Sequence, residues 1–113
     1  MKSSGSVLKR LRAVCEELPG VEERLSHGTP AFFVRGRMFA QLWDDHHSDG
    51  RLALWCAAPP LAQETLVEAE PEVFFRPAYV GHRGWLGVRL DRGLKWERVA
   101  RIVRGAHATV IAR

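Results

Sequence analysis

The chain of 113 residues has few cysteines and no long uninterrupted apolar run. The two cysteines, Cys15 and Cys56, lie far apart, so there is neither a CxxC motif nor a disulfide framework. The longest apolar stretch, residues 52–62, is interrupted by two prolines and is too short to cross a bilayer. The first residues lack the continuous apolar core of a secretory signal. We therefore expect a cytoplasmic protein with two buried, reduced thiols and no membrane partner.

The sequence also lacks internal repeats, linkers and any recognisable catalytic or cofactor motif. Its length and its 46% apolar fraction are typical of one soluble domain, which we take to span residues 1–113. The Ser26-His27 dipeptide has no nucleophile-elbow context around it. The glycines at 81, 84 and 87 lack the strand, helix and Lys-Ser/Thr pair of a phosphate-binding loop. We therefore expect a protein that is not an enzyme and that has no cofactor.

What the chain does have is a basic segment near its end. Residues 76–104 contain eight Lys or Arg and only two acidic side chains, Asp91 and Glu97. Residues 1–75 have a net charge of −3, whereas residues 76–113 have a net charge of +7. Lysine occurs only at positions 2, 9 and 95, so the basic residues are mostly arginines, which GC-rich coding also favours. A charge excess confined to one segment indicates a surface that meets a polyanion such as nucleic acid.

Hydrophobic periodicity and turn residues predict a helix near each end of the chain and an antiparallel meander of strands between them. The predicted helices are Ser6 to Leu18, Leu61 to Ala69 and a last helix that starts near Trp96. Strands are predicted at Val21 to Ser26, Ala31 to Val34, Met38 to Trp43, Arg51 to Ala57 and Trp85 to Leu90, with Val73 to Phe75 as a strand edge or packed loop. Residues 44–50 are predicted to form a polar turn.

The last helix has two distinct faces. At 100° per residue, one side carries the apolar side chains Trp96, Val99, Val103, Ala106 and Val110. The opposite side carries Arg98, Arg101 and Arg104. The apolar face is predicted to pack on the sheet, which leaves a basic face over three turns.

Several motifs occur in an order that resembles the MmcQ/YjbR family of small bacterial proteins. They are Leu18-Pro19-Gly20, Glu22-Glu23, Ser26-His27-Gly28-x-Pro30, V-R-G-R-M-F-A at 34–40, L-A-L-W at 52–55, and Pro77-x-Tyr79-x-Gly81-x-Arg83-Gly84-Trp85-x-x-Val88-x-Leu90-Asp91. The resemblance extends from about Leu8 to Ala112. It implies an α+β fold like that of frataxin, in which an antiparallel sheet is covered on one face by helices from the two ends of the chain. It also implies a double-wing DNA-binding role.

Two positions depart from the pattern of that family. Many members carry a lysine where this chain has Trp55, and an Asn-Lys pair where this chain has His82-Arg83-Gly84. Arg83 preserves the positive charge, whereas Trp55 does not. An exposed Trp55 would instead offer a stacking surface.

The first functional hypothesis is a DNA-binding protein that contacts backbone phosphates. Its candidate residues are Arg37, His82, Arg83, Arg89, Arg98, Arg101 and Arg104. The competing interpretation is a solvated basic helix face that keeps the protein soluble.

The second hypothesis is an adaptor that binds a small anionic ligand or a protein partner in a pocket between sheet and helices. Its candidate residues are Arg37, Trp55, Tyr79, His82 and Arg83. In either case we expect a monomer.

The tryptophans and the paired histidines have structural interpretations as well. Trp85 and Trp96 are predicted to lie in the core, and Trp43 and Trp55 to pair across a hairpin rather than stack on unpaired bases. His46-His47 with neighbouring aspartates suggests a metal site, but a solvated turn is favoured and no metal is expected. Frataxin-like iron binding is disfavoured because the first helix is basic.

Overall fold

The computed structural model describes residues 4–113; residues 1–3 lie outside it. Within this range the chain forms three α-helices and six strands. Two short 3₁₀ turns join them, the histidine turn (His46–Ser48) and the glycine turn (Gly81–Arg83). The elements are α1 (Ser4–Glu16), β1 (Val21–Ser26), β2 (Thr29–Val34), β3 (Arg37–Asp44), β4 (Leu52–Cys56), α2 (Ala62–Ala69), β5 (Phe74–Phe75), β6 (Leu86–Arg89) and α3 (Trp96–Ile111).

The strands form one antiparallel sheet in the order β1-β2-β3-β4-β6-β5. Two-residue turns at His27-Gly28 and at Arg35-Gly36 join the first three strands, and all four turn residues have positive φ. Positive φ at both central residues is the signature of the type I′ turn, whose twist matches that of the strands it connects. The predicted antiparallel α+β fold is confirmed.

Side chains alternate between the two faces of β4, the strand at the centre of the sheet. Leu54 and Cys56 point towards the helices, and Trp55 points to the opposite face. Every residue of β4 is buried, including Trp55, which is 4% exposed. A strand buried on both faces needs cover on both, so the face opposite α1 and α3, here called the open face, must be shielded by loops.

A β-bulge in β3 determines which side chains reach the open face. Phe32 pairs with Ala40 and Phe33 pairs with Met38, so Phe39 has no partner on β2. Phe39 is fully buried on the helical side, where its ring meets the edge of His107 in α3 at 5.4 Å. The extra residue reverses the alternation that follows it, because a bulge re-aims the side chains beyond it.

The helices α1 and α3 pack on each other, and α3 also packs on β2 and β3. The apolar face of α3 is buried as predicted, with Val99, Val103, Ala106 and Val110 in the core and Trp96 packed against it. The short helix α2 packs beside β5. Its buried Gln63 donates to the carbonyl oxygens of Gly81 at 2.9 Å and Trp85 at 2.5 Å, which holds the glycine turn in place.

Candidate functional site

Three of the arginines proposed to contact phosphates form ion pairs with acidic side chains. Both Nη atoms of Arg98 donate to the carboxylate of Glu70, at the end of α2. Arg104 contacts Glu17 at 3.3 Å. Arg89 donates from Nε and Nη2 to Asp91, both at 3.0 Å. These guanidinium groups are therefore already engaged, and their charge is compensated locally.

The pairing affects the acidic partners as well. The hydrogen bonds from Arg98 lower the pKa of Glu70. Burial works to raise the pKa of Asp91, but hydrogen bonds from Arg89 and from the Leu52 amide outweigh it and lower that pKa. Both carboxylates are thus held in their ionised, salt-bridged form.

The other proposed phosphate contacts lie on separate elements. Arg37 begins β3, His82 and Arg83 lie in the glycine turn, and Arg101 lies on α3; all four are exposed. Within residues 4–113, none of the four takes part in an ion pair. The guanidinium carbon of Arg83 lies 5.6 Å from the centre of the buried Trp85 ring.

A groove between α1 and α3 brings two of the α3 arginines together with a residue that the sequence analysis did not select. Arg101 and Arg104 line this groove of about 620 Å³ with Arg10 from α1. The guanidinium carbon of Arg10 lies 5.5 Å from the centre of the Trp96 ring. Because Glu17 and Glu97 line the same groove, its charge is mixed, with an excess of one positive charge.

A second concavity lies on the open face of the sheet. This aromatic pocket has a volume of about 640 Å³, within the range of small-molecule sites. Strand alternation and the β3 bulge bring its floor residues to one face, since Gln41 pairs directly with Trp55. The lining residues are Ser26, His27, Met38, Gln41, Trp43, His46, His47, Trp55, Tyr79 and Val80.

Aromatic rings form most of the pocket wall. The Trp43 and Trp55 rings lie 5.1 Å apart between centroids, tilted by 40°. The His46 ring meets both of them edge-on, with centroid distances of 4.6 Å to Trp43 and 4.7 Å to Trp55. His47 stacks on His46 at 4.0 Å, and the largely exposed Tyr79 ring lies 6.0 Å from His46. These distances are typical of interacting aromatic pairs.

The backbone around the pocket is strained. Three lining residues other than glycine have left-handed φ: His27 at 55°, His47 at 48° and Tyr79 at 64°. Asp45 and Ser48, which flank the paired histidines, both have φ of 60°. Residues with side chains seldom adopt this conformation, and such strain concentrates at binding and catalytic sites. The clustering around one pocket indicates that its shape is maintained at a cost in stability.

Polar groups in the pocket are few. Gln41 is 4% exposed, and its Nε2 donates to the Ser26 carbonyl and to Thr29 Oγ1, both at 2.9 Å. The indole N–H groups of Trp43 and Trp55 are buried without a hydrogen-bond partner among the described residues. Burial and the neighbouring His47 lower the pKa of His46, and Asp49 opposes them. His46 is therefore neutral at pH 7, which suits a largely apolar site.

A model of the YjbR family matches residues 16–109, most of the chain. The chain belongs to the YjbR family. No curated protein matches it. Among solved structures, this YjbR-family chain is similar to the Deinococcus radiodurans protein DR2400, which has the family-model domain DUF419. The two are 28% identical with a TM-score of 0.77, and the match covers 91% of this chain and 77% of DR2400. The resemblance noted in the sequence is thus confirmed, together with its fold.

The pocket of this YjbR-family protein contains only part of the predicted ligand site. Trp55 and Tyr79 line it, whereas Arg37, His82 and Arg83 do not. It also lies on the open face and not between sheet and helices, because Trp55 alternates with Leu54 and Cys56, which fill the helical side. Trp55 is buried and does not form the exposed stacking surface considered for it.

Eight of the ten lining residues were not selected from the sequence, and the polar ones with ring or amide groups are His27, Gln41, His46 and His47. The paired histidines were interpreted as a solvated turn, but the His46 ring packs on Trp43 and Trp55. The predicted pairing of Trp43 with Trp55 across the hairpin and the buried position of Trp85 are confirmed. Together, the two tryptophans that flank D-D-H-H-S-D-G were the signal for an aromatic pocket.

Two further findings concern residues 4–113 alone. They contain no group of three or more His, Cys, Asp or Glu side chains that could hold a metal ion. None of the helices in this range is long and apolar enough to span a bilayer.

Proposed function

We propose that this YjbR-family protein is a non-catalytic binding protein that holds a small organic ligand in the aromatic pocket. The observation that carries the proposal is the arrangement of Trp43, Trp55, His46, His47 and Tyr79 around about 640 Å³ of space. Pockets of this size, mostly aromatic with a few polar groups, are the usual form of small-molecule sites. The left-handed φ of His47 and Tyr79, which lie outside the two type I′ hairpin turns, supports it.

Binding is proposed without catalysis because the polar groups of the pocket form no nucleophile and base pair. The Ser26 Oγ lies 3.3 Å from Nδ1 of His27, but Ser26 is half-buried, His27 is exposed, and no third group among the described residues orients the imidazole. An activated serine requires such a group beside its base. The polar groups described in the pocket therefore favour a role in binding a ligand over one in transforming it.

The indole N–H signals of the four tryptophans test this function. The ¹⁵N-labelled protein is titrated with adenine, benzimidazole, cyclohexanol and tetramethylammonium as probes. We expect at least one probe to move the Trp43 and Trp55 signals at millimolar concentration while the Trp85 signal stays unchanged. If no probe moves them, or if all four indoles shift alike, the pocket is not a binding site.

A variant at the pocket rim and a matched control refine the measurement. Tyr79→Asn removes the exposed ring and retains a residue that tolerates left-handed φ. An aromatic contact contributes about 0.5–1.5 kcal/mol, so binding should weaken roughly two- to tenfold. His82→Asn changes an exposed residue outside the pocket lining and should bind as the wild type does.

Nucleic-acid binding is a second candidate, favoured by the arginines that line the groove between α1 and α3. Arg101 and Arg104 of the original candidates would contact phosphates there together with Arg10. The net charge of +7 in residues 76–113 supports this idea. The ion pairs of Arg89 and Arg98 weigh against those two residues as contacts, and Arg104 would have to exchange its 3.3 Å contact with the exposed Glu17 for a phosphate.

Binding of duplex DNA across a salt series tests this second candidate. The logarithm of the association constant should fall with a slope of about −0.9 per phosphate contacted. The charge reversals Arg10→Glu and Arg101→Glu together should flatten the slope, whereas Arg92→Glu with Arg113→Glu changes the net charge equally and should preserve it. Equal slopes in the two double variants would exclude the groove as the contact surface.

A further inference from the structure

The His46 side chain forms the part of the pocket wall at which the other aromatic rings converge. Its ring centroid lies within 4.0–4.7 Å of those of three neighbouring rings, His47, Trp43 and Trp55, and within 6.0 Å of the Tyr79 ring. Trp43 and Trp55 are farther from each other, at 5.1 Å, than either is from His46. A planar five-membered ring therefore already sits where the aromatic walls converge.

The histidine turn holds this ring by its backbone and not by hydrogen bonds to the imidazole. At the base of the turn, Asp45 Oδ1 accepts from the Gly50 amide at 2.7 Å and Asp49 Oδ1 accepts from the Arg51 amide at 2.9 Å. Within residues 4–113, no protein group forms a hydrogen bond with either the His46 or the His47 imidazole. The imidazole rings are thus held by ring contacts, while the backbone of the turn is held by hydrogen bonds from the Ser48 amide to the Asp45 carbonyl and from the Asp49 amide to the His46 carbonyl, both at 3.0 Å.

The backbone of the same turn is strained, and the tryptophans that contact it have unused hydrogen-bond donors. Asp45, His47 and Ser48 all adopt left-handed φ, which costs free energy in residues that carry side chains. Two of the walls, Trp43 and Trp55, have buried indole N–H groups without partners among the described residues. A conformation with His46 in the pocket therefore sacrifices backbone and donor energy, so a ligand that relieves either cost can compete with it.

We propose that the His46 imidazole holds the place of a ligand ring, and that the pocket binds a planar nitrogen heteroaromatic ring, such as a nucleobase, that displaces the histidine turn. This inference rests on the proposed function of the pocket. The walls are flat rings, which stack on a planar ligand, and the space of about 640 Å³ beside His46 lets a bicyclic ring enter and reach the histidine turn. No Asp or Glu is among the described residues that line it, which disfavours an organic cation.

A nucleobase could reach the pocket either as a free small molecule or as an unpaired base of a nucleic acid. The pairing Arg24 to Ala31, Ala31 to Gln41 and Gln41 to Trp55 places Arg24 in the same cross-strand row as Trp55. Its guanidinium carbon lies 4.0 Å from the centre of the Phe33 ring. Arg24 and Trp55 are three strand spacings apart, about 14 Å. At that distance Arg24 could contact a neighbouring nucleotide but not the base in the pocket.

The variant His46→Ala tests the displacement directly, with adenine as the probe and the Trp43 and Trp55 indole signals as the readout. If the wild-type ring occupies the site about 90% of the time, its removal should tighten adenine binding about tenfold, because the competent fraction rises. His82→Ala removes an exposed histidine outside the pocket lining and should leave the affinity unchanged. In the wild type, adenine should also shift the His46 ring proton signals towards those of a solvent-exposed histidine, a measurement that does not depend on the variant folding.

The outcomes separate this inference from the pocket function. Adenine that binds the wild type but binds His46→Ala no more tightly makes His46 part of the wall and overturns the displacement, while the pocket function stands. Binding of tetramethylammonium without adenine overturns the ligand class alone. If no probe binds either protein, both proposals fail.

A last arm identifies the source of the base. Binding of adenine supports recognition of a nucleobase that arrives as a free small molecule. Tighter binding of an eight-nucleotide oligo(dA), weakened by Arg24→Glu while adenine binding is unchanged, supports the same chemistry with a single-stranded nucleic acid as source. Oligo(dA) that binds without moving the Trp43 and Trp55 signals would contradict the inference for nucleic acid.

Discussion

Of the three histidines in the pocket wall, whose charge can change near neutral pH, His46 is the half-buried one and lies between two indoles. Protonation of His46 would place a cation beside His47 and among apolar rings, and both burial and His47 lower its pKa from the ordinary value of 6.5. Asp49 is the nearby acidic group that opposes this shift, although it does not reverse it. The titration of this one residue therefore reports whether its ring is inside the pocket.

We predict that His46 makes the folded protein less stable as the pH falls below about 6.5. The pKa of His46 is lower in the folded state than in the unfolded chain, so the unfolded chain binds the proton first and is favoured below that pH. Above pH 6.5 both states are neutral and the effect vanishes. The measurement is the melting temperature at pH 7.5 and 5.5 for wild type and His46→Gln, and the drop should be smaller in the variant.

His82→Gln is the control for this prediction, because His82 is exposed and lies outside the pocket lining. It should retain the full wild-type drop between the two pH values. If the drop is equal in all three proteins, His46 does not titrate from a buried position.

At the scale of elements, the far edge of the sheet depends on a close approach of ring and backbone. Gly87 in β6 pairs with Phe75 in β5, and a Cβ at Gly87 would overlap the Phe75 ring. The Phe75 ring has a second contact, with the guanidinium carbon of Arg51 at 4.1 Å from the ring centre. The packing of the two-residue strand β5 on β6 therefore depends on the Phe75 ring, which lies over Gly87 and leaves no room for a side chain there.

We predict that Gly87→Ala destabilises the protein by about 1–3 kcal/mol, because the added methyl group forces the Phe75 ring to move. In a Phe75→Ala background the same substitution should cost less than about 0.5 kcal/mol, since the clashing ring is gone. The free energy of unfolding in urea for the four proteins of this cycle measures the coupling.

Gly105→Ala is the opposite control. A Cβ at Gly105 meets no atom within 4 Å, and alanine favours a helix interior over glycine by about 0.5–1 kcal/mol. This variant should be more stable than the wild type. Additive effects of Gly87→Ala and Phe75→Ala would show that the two residues are not coupled.

The elements differ in how far their sequence determines them. The four-residue and three-residue steps of Val99, Val103, Ala106 and Val110 suffice for α3, because helical periodicity alone places them on one face. The aromatic pocket could not be derived in the same way. Alternation along β3 predicts opposite faces for Met38 and Gln41, and only the bulge at Phe39 brings both into the pocket.

The histidine turn illustrates a second limit of the sequence. Trp55 and Tyr79 were selected from their residue types, and the pocket contains both. Asp45, His47 and Ser48 have left-handed φ. Asp and His adopt this conformation more often than most residues, but the D-D-H-H-S-D-G segment does not indicate which of its positions do so. Its conformation is determined by ring packing against residues on other strands, a tertiary effect that local preferences do not contain.

For the molecule as a whole, the two sheet faces have different roles. The helical side holds the continuous core, and both cysteines are buried there, Cys15 on α1 and Cys56 on β4. The open face has only loops and single side chains over it, and the pocket lies on that side. Regions with little apolar cover open at low free energy, so motion of the histidine turn need not disturb the core.

This division predicts how the two thiols react. Burial raises the pKa of each to about 12, so almost no thiolate exists at pH 8, and the sulfur atoms are also shielded from reagent. We expect neither cysteine to react with a disulfide reagent in the native protein. Both should react when guanidinium chloride unfolds the protein, and the midpoint of their reaction should equal the midpoint at which the helical circular dichroism signal is lost.

The variant Cys15→Ala isolates Cys56 and shows whether α1 belongs to the same cooperative unit as the sheet. If α1 unfolds only together with the sheet, Cys56 should react at the same denaturant midpoint in the wild type and in Cys15→Ala, apart from a modest shift caused by loss of the Cys15 sulfur. Reaction of Cys15 at denaturant concentrations that leave Cys56 protected would mean that α1 detaches first. Two contacts of α1 make this possible: it packs mainly against α3, and among the described residues its ion pair to the sheet is that of Arg12 with Glu23. In that case the groove between α1 and α3 would be a transient surface, and the phosphate contacts proposed there would lose their scaffold, whereas the aromatic pocket on the open face would remain intact.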